Sequence, residues 1–327
     1  SPPPPAGNDG PLARALRLAC VLEVLAPKAG NVHPGCAFDD LSTEDFLRAA
    51  ACSVPVLAQS RPLGVGQAVL ESVRLTVEAA GSNVNLGILL LLAPLAAVPL
   101  QQSLTDGLPA VLQGMTSADA AAVYEAIRLA KPGGLGRSER YDTSGPPPAS
   151  LLEAMREAAS RDLVAAEYAG GFPVVLGEAR EILLHSQLSI SSWRNDIQTL
   201  QLKLMAAHPD SLIARKCGPA VARESADRAA QVLATGWPAP AANAALKDFD
   251  TWLRADGHRR NPGTTADLIA AALFAAIRDE AVKPATVQGL LQDPEVTRGL
   301  HLAGQWKQQT NLPGQANRQP DNVSVGH

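Results

Sequence analysis

The sequence predicts an all-α fold: a single large, bundle-like, multi-helix domain with a central apolar helix. Three observations lead there. The hydrophobic share is 46% and the aromatic share only 4%, so the core must be built from Leu, Ala and Val, which suits close helix–helix contact. No set of alternating apolar residues reads as a sheet, and no internal repeat appears. Capping residues, Gly and Pro punctuate long segments of helical period.

Residues 1–10, rich in Pro and Gly, read as a disordered N-terminus, 11–303 as the helical domain, and 304–327 as a disordered polar tail. The first helix spans 12–25 and is stopped by Pro27 and Gly30. Residues 42–45 (STED) look like a helix start leading into 46–58, and 67–80 follows. Residues 88–95 are apolar all round, hence central. The run 86–100 is broken by Pro94 and Pro99, too short for a membrane span. An amphipathic helix is expected over 117–130, then a Gly/Pro loop over 131–149 that is either a lid or a plain connection. Helices are expected over 151–168, over 177–207 as one or two pieces, and over 225–235 and 242–254. The segment 266–277 is the last strongly apolar one.

A net charge of −4 argues against general nucleic-acid binding. The start of the chain is neither basic nor apolar, unlike a signal peptide, and a cytoplasmic, membrane-free protein is expected. Cys20, Cys36, Cys52 and Cys217 stand singly and read as buried reduced thiols. Phosphate-binding and nucleophile motifs such as GxxxxGK[ST], GxGxxG and GxSxG are missing.

Four polar clusters interrupt this apolar chain at predicted helix ends: 23–35 (EVLAPKAGNVHPG), 81–87 (GSNVNLG), 208–218 (HPDSLIARKCG) and 258–267 (HRRNPGTTAD). Together they hold the carboxylates, amides, hydroxyls and cations that a nucleotide and its metal require. At 100° per residue, Glu23 lies opposite Arg14 and beside Leu16 and Ala19, so its carboxylate faces inward. It is either the ion-pair partner of Lys28 or the lining of a pocket. Asn83 and Asn85 precede an apolar helix, and one cap would explain only one of them; ligand contact at a helix N-terminus is the other reading. Asp210 either caps a short helix or serves as a metal-binding or base carboxylate beside Arg215 and Lys216. Thr264 reads as an N-cap with Asp267 in a capping box, while Arg259, Arg260 and Asn261 upstream suit a phosphate seat. His33, His208 and His258 fall within clusters but lack the spacing of a zinc site.

In order and spelling, the four clusters resemble the triphosphoribosyl-dephospho-CoA synthase family over residues 12–280. The segments that carry the likeness are Glu23 through Pro27, Lys28 and Gly30; Gly81, Asn83, Asn85 and Gly87; Asp210 through Arg215, Lys216 and Gly218; and Asn261, Pro262, Gly263, Thr264, Thr265 and Asp267. The resemblance implies an all-α transferase that joins the ribose C1′ of ATP to the ribose 2′-hydroxyl of 3′-dephospho-CoA and expels adenine. It implies Mg²⁺ with ATP, held by Asp210 with Arg215 and Lys216 on the triphosphate. It implies Glu23 stabilising positive charge on the ribose, and Asp210 or Asp267 as base. Lys28, Asn31, Asn83, Asn85, Arg260, Asn261, Gly263 and Thr264 are the remaining expected substrate contacts. Ala29 stands where the lyase-associated members carry a second Pro, and Asn85-Leu86 stand where a His-Lys or His-Arg pair is common. The spelling is more similar to archaeal and methylotroph members, which implies as an alternative an enzyme of tetrahydromethanopterin or methanofuran biosynthesis with another acceptor. A noncatalytic nucleotide-binding helical protein is the remaining reading.

Overall fold

A computed structural model describes residues 10–131, 143, 145–186 and 188–305. Among these are seventeen α-helices and no strand; the extended pairing is confined to two isolated bridges, His33 with Cys36 and Phe38 with Leu41. In order the helices are α1 Pro11–Leu25, α2 Thr43–Leu57, α3 Ser60–Leu63, α4 Val65–Ala80, α5 Leu86–Ala97, α6 Leu104–Gln113, α7 Ser117–Ala130, α8 Leu151–Ala158, α9 Leu163–Gly170 and α10 Ala179–Leu184. They continue with α11 Trp193–Ala207, α12 Ser211–Cys217, α13 Pro219–Ala234, α14 Asn243–Arg254, α15 Gly263–Arg278, α16 Pro284–Leu290 and α17 Pro294–Leu302.

Local chemistry explains most boundaries. Ser42 opens α2 with a capping box to Asp45, and Thr116 opens α7 with one to Asp119. The helix expected over 151–168 is two, because the Asp162 side chain accepts from Ala165 N–H and starts α9 afresh. Upstream of α11, a π-helical turn, Val174–Glu178, runs into the start of the expected 177–207 segment, and α10 follows it. Helix α13 begins at Pro219, earlier than its apolar period suggests, because Pro fits the first helical position after Gly218 at φ +93°. Helices α3, α6, α16 and α17 were not expected. Of the segments expected to be disordered, 1–10 and 304–327, all but residues 10, 304 and 305 lie outside the described residues, as does most of the expected 131–149 loop.

Two apolar clusters adjoin. The larger joins α1, α2, α4, α5, α7 and α15; the smaller, around Leu202, Met205, Ile213, Phe249 and Leu253, lies under α11 to α14. Helix α5 is buried along its length apart from Gly87. Pro94 cannot donate to the Leu90 carbonyl one turn back, and the buried Tyr168 hydroxyl donates to that carbonyl instead, at 2.6 Å. The all-round apolarity of this helix is thereby reconciled with an internal Pro.

Of the four cysteines only Cys52 is buried; Cys20, Cys36 and Cys217 are free and partly exposed, so the expectation of buried thiols holds for one. No helix among the described residues is long and apolar enough to cross a membrane.

Candidate active site

The N-termini of α5, α12 and α15 and the end of α1 meet around one cavity of about 530 Å³. Glu23, Asn31, Asn83, Arg215, Lys216, Asn261, Gly263, Thr264 and Asp267 all line it. Residues 200 positions apart in sequence are brought together because helix ends, with their unpaired N–H and C=O groups, collect at one place.

Glu23 sits in the last turn of α1 and is 4% exposed; Lys28 is fully buried. Lys28 Nζ lies 2.9 Å from Glu23 Oε1 and also donates to the Glu23 carbonyl. Both readings of Glu23 therefore hold at once: its carboxylate is paired with Lys28 and lines the cavity. Lys28 itself stands behind it and does not line the cavity.

Asp210 follows the capping reading and departs from the metal or base one. It is 1% exposed, and each oxygen is taken by two donors. Oδ1 accepts from Leu212 N–H at 2.9 Å and Ile213 N–H at 3.0 Å, which caps α12. Oδ2 accepts from Thr265 N–H at 2.7 Å and Thr265 Oγ1 at 2.8 Å, which caps α15. Burial raises its pKa, and these four donors pull it back. A carboxylate with both oxygens engaged away from the cavity is a double helix cap. It does not fit a Mg²⁺ ligand or a base. Among the described residues no group of three His, Cys, Asp or Glu could hold a metal ion.

Asp267 departs in the opposite sense. It lies in the second turn of α15, and no capping box forms, because Pro262 occupies the cap position and Asp210 supplies the cap. Its carboxylate has no hydrogen-bond or ion-pair partner among the described residues, and it faces the cavity across Gly87 at the start of α5. Burial first, then the charges of Glu23 and Asp210, push its pKa well above the usual carboxylate range, with Arg215 opposing. A Cβ at Gly87 would stand 1.9 Å from Asp267 Oδ2. Gly87→Ala must displace that carboxylate, so turnover is expected to fall by more than about tenfold with circular dichroism unchanged. Wild-type turnover in Gly87→Ala would show that the placement of Asp267 is immaterial.

The cations divide. Arg215 pairs with Asp162, yet its Nε is buried without a partner. The Lys216 ammonium has no ion-pair or hydrogen-bond partner among the described residues; burial and then the Arg215 charge push its pKa down. Arg260 is turned away: its guanidinium stacks over Trp252 at 4.5 Å and donates to the Trp252 carbonyl at 3.0 Å. Arg259 donates to the Lys216 carbonyl at 2.9 Å, so the expected basic pair is not a phosphate seat. His258 lines the cavity in their place.

Asn83 Oδ1 accepts from Leu86 N–H at 3.0 Å and Asn85 N–H at 3.3 Å, so it caps α5 while lining the cavity. Asn85 is buried outside the lining, with its Oδ1 unpartnered. Thr264 is not the cap of α15; its hydroxyl accepts from Ser211 Oγ at 3.0 Å.

Sequence reasoning missed Asp40, Phe46, Tyr124, Arg161 and Asp162 on the cavity wall. Only Asp162 left a signal, as a polar break inside an apolar period. Phe46, Leu90, Ile127, Leu151 and Met155 supply an apolar part of the cavity wall.

No curated protein matches the chain. A crystal structure of an Archaeoglobus fulgidus protein, provisionally assigned there as a triphosphoribosyl-dephospho-CoA synthase, matches with a TM-score of 0.57 and 25% identity. The match covers 71% of this chain and 98% of that one. The family model for CitG, described as ATP:dephospho-CoA triphosphoribosyl transferase, matches residues 10–285. By that match, which takes in all four polar clusters, the chain belongs to the ATP:dephospho-CoA triphosphoribosyl transferase family.

Proposed function

We propose that this chain transfers the triphosphoribosyl group of ATP to the 2′-hydroxyl of 3′-dephospho-CoA, and that Glu23 and Asp267 carry the chemistry. The observation that supports this reading is the contrast between two neighbouring carboxylates in one cavity. Glu23 is paired with Lys28, while Asp267 has no partner among the described residues and a raised pKa.

The transfer breaks the C1′–N9 bond of ATP, whose electron pair leaves with adenine, and forms a bond from C1′ to the acceptor oxygen. Positive charge develops on the ribose, and the Glu23 carboxylate stabilises it. Asp267 takes the acceptor's hydroxyl proton; adenine takes up one proton as it leaves. A raised pKa makes Asp267 a stronger base than an ordinary carboxylate. Arg215 Nε, Lys216 and His258 receive the triphosphate. Mg²⁺ enters as part of MgATP and is carried by the phosphates, since Asp210 does not fit as its ligand.

Incubation with MgATP and 3′-dephospho-CoA is expected to release adenine, measured by chromatography, in equal amount with the conjugate. Glu23→Gln is expected to lower that release by about a hundredfold or more in folded protein. Unchanged release would remove Glu23 from the chemistry.

The apolar wall supports a second reading, in which the acceptor carries an aromatic or otherwise apolar group, as a precursor in tetrahydromethanopterin or methanofuran biosynthesis would. Adenine release with such a precursor and none with dephospho-CoA would decide for it.

A further inference from the structure

A buried glutamine on α11, Gln201, has no place in the chemistry above, yet it is bound into the loop behind the cavity. It is fully buried, and its Oε1 accepts from Ala29 N–H at 2.9 Å. Its Nε2 donates to the Ala29 carbonyl at 2.7 Å and to Asn31 Oδ1 at 3.0 Å. Asn31 Nδ2 in turn donates to Asn261 Oδ1 at 2.7 Å and to the Pro262 carbonyl at 3.4 Å.

The two ends of an amide are distinguished by what they can pair with. A backbone N–H can only donate and a backbone carbonyl can only accept, so Ala29 settles which end of Gln201 is which. The second proton on Gln201 Nε2 then requires an oxygen from Asn31. Asn31 is left to offer its NH₂ group, and the Pro262 carbonyl agrees with that independently. Asn261 must answer with its oxygen, so its own NH₂ group is turned toward the cavity that it lines. Two backbone groups at Ala29 thus dictate, through three amides, that Asn261 is a donor at the cavity.

We infer that Gln201 is a positioning residue: it fixes Asn261 Nδ2 as a donor to a phosphate oxygen of the nucleotide. Phosphate is the acceptor because Arg215 and Lys216, which line the same cavity, are cationic, and Arg215 Nε is buried without a partner. The inference deepens the transferase reading and rests on it only for the identity of the ligand.

The test is binding of inorganic tripolyphosphate and, separately, of adenosine to the full chain by calorimetry. Asn261→Ala removes the donor and is expected to raise the tripolyphosphate Kd roughly 10- to 100-fold. Gln201→Glu keeps an acceptor for Ala29 N–H but cannot donate to Asn31, so Asn31 and Asn261 turn and an oxygen faces the phosphate. A similar rise is expected. In the double variant Gln201→Glu has nothing left to act on, so its Kd should match that of Asn261→Ala alone. Adenosine binding should stay at the wild-type value throughout. If Gln201→Glu does not fold, Asn31→Ser enters the same cycle.

Full additivity with Asn261→Ala would mean that Gln201 acts by bulk charge or packing, and the inference fails. An unchanged tripolyphosphate Kd in folded Gln201→Glu, or a loss confined to adenosine, overturns it equally. None of these readouts needs adenine release, so absence of transfer would count against the proposed reaction while leaving the amide relay standing.

Discussion

Asp267→Asn should lower turnover by about 10²- to 10⁴-fold, the usual contribution of a positioned base, while leaving MgATP binding near its wild-type value. The substitution keeps the size of the side chain and removes its ability to take the acceptor's proton. The carboxylate it replaces has no partner among the described residues, so no structural bond is lost. The pH profile is the sharper readout. Asp267 must be deprotonated to act, and its pKa is raised well above the carboxylate range, so wild-type kcat/KM should climb with pH through that raised value. The variant should lose this limb. A variant that keeps both its rate and its acidic limb would take Asp267 out of the mechanism.

Stability should move the other way. The fold holds the Asp267 proton more tightly than the unfolded chain does. Its contribution to stability is therefore fully present below the unfolded pKa and is lost as pH rises through the raised folded pKa. Asparagine carries no charge at any pH and escapes that loss. Asp267→Asn should hold its Tm on the alkaline side where the wild type falls, which is the trade of stability for function expected at a site.

Lys28→Met should destabilise the protein by about 3–5 kcal/mol, the cost of leaving one member of a buried ion pair alone. Lys28 is fully buried, and Glu23 is 4% exposed, so solvent screens neither partner. The measurement is chemical denaturation at constant pH. Lys28→Met/Glu23→Gln should recover part of the loss, because it removes the unpaired charge, yet it should remain inactive. A single variant as stable as the wild type would show that the pair is not the anchor of the loop after α1.

Much of this arrangement was legible in the residues. The inward face of Glu23 follows from the 100° step and from Arg14 opposite; the pair with Lys28 follows from the cost of burying a carboxylate. The α2 and α7 boundaries follow from Ser/Thr caps with Asp three residues on. The break before α9 was harder, because a single Asp within an apolar period announces a new cap only once its carboxylate is seen to turn back on Ala165. Helices α16 and α17 are short and weakly apolar, and they are held by packing on the rest, α17 against α1 and α2.

Asp210 and Asp267 mark the limit of reading locally. In sequence, each aspartate read both as a helix cap and as a candidate base, Asp210 beside two cations and Asp267 in a capping box. In the fold, Asp210 reaches across to Thr265 and caps a helix that begins more than fifty residues later, which frees Asp267 from that duty. Arg260 and Asn85 were likewise expected at the ligand, and Trp252 and the interior took them instead.

By itself the sequence determined most of the longer helical segments, which side of α1 is inward, and that polar clusters lie at helix ends, because propensity, period and capping are local properties of the chain. Only the tertiary structure decided which of two aspartates is satisfied and which is left bare, and which end of Asn261 meets the cavity. A hydrogen bond depends on distance and direction between residues far apart in the chain, and no local pattern encodes either.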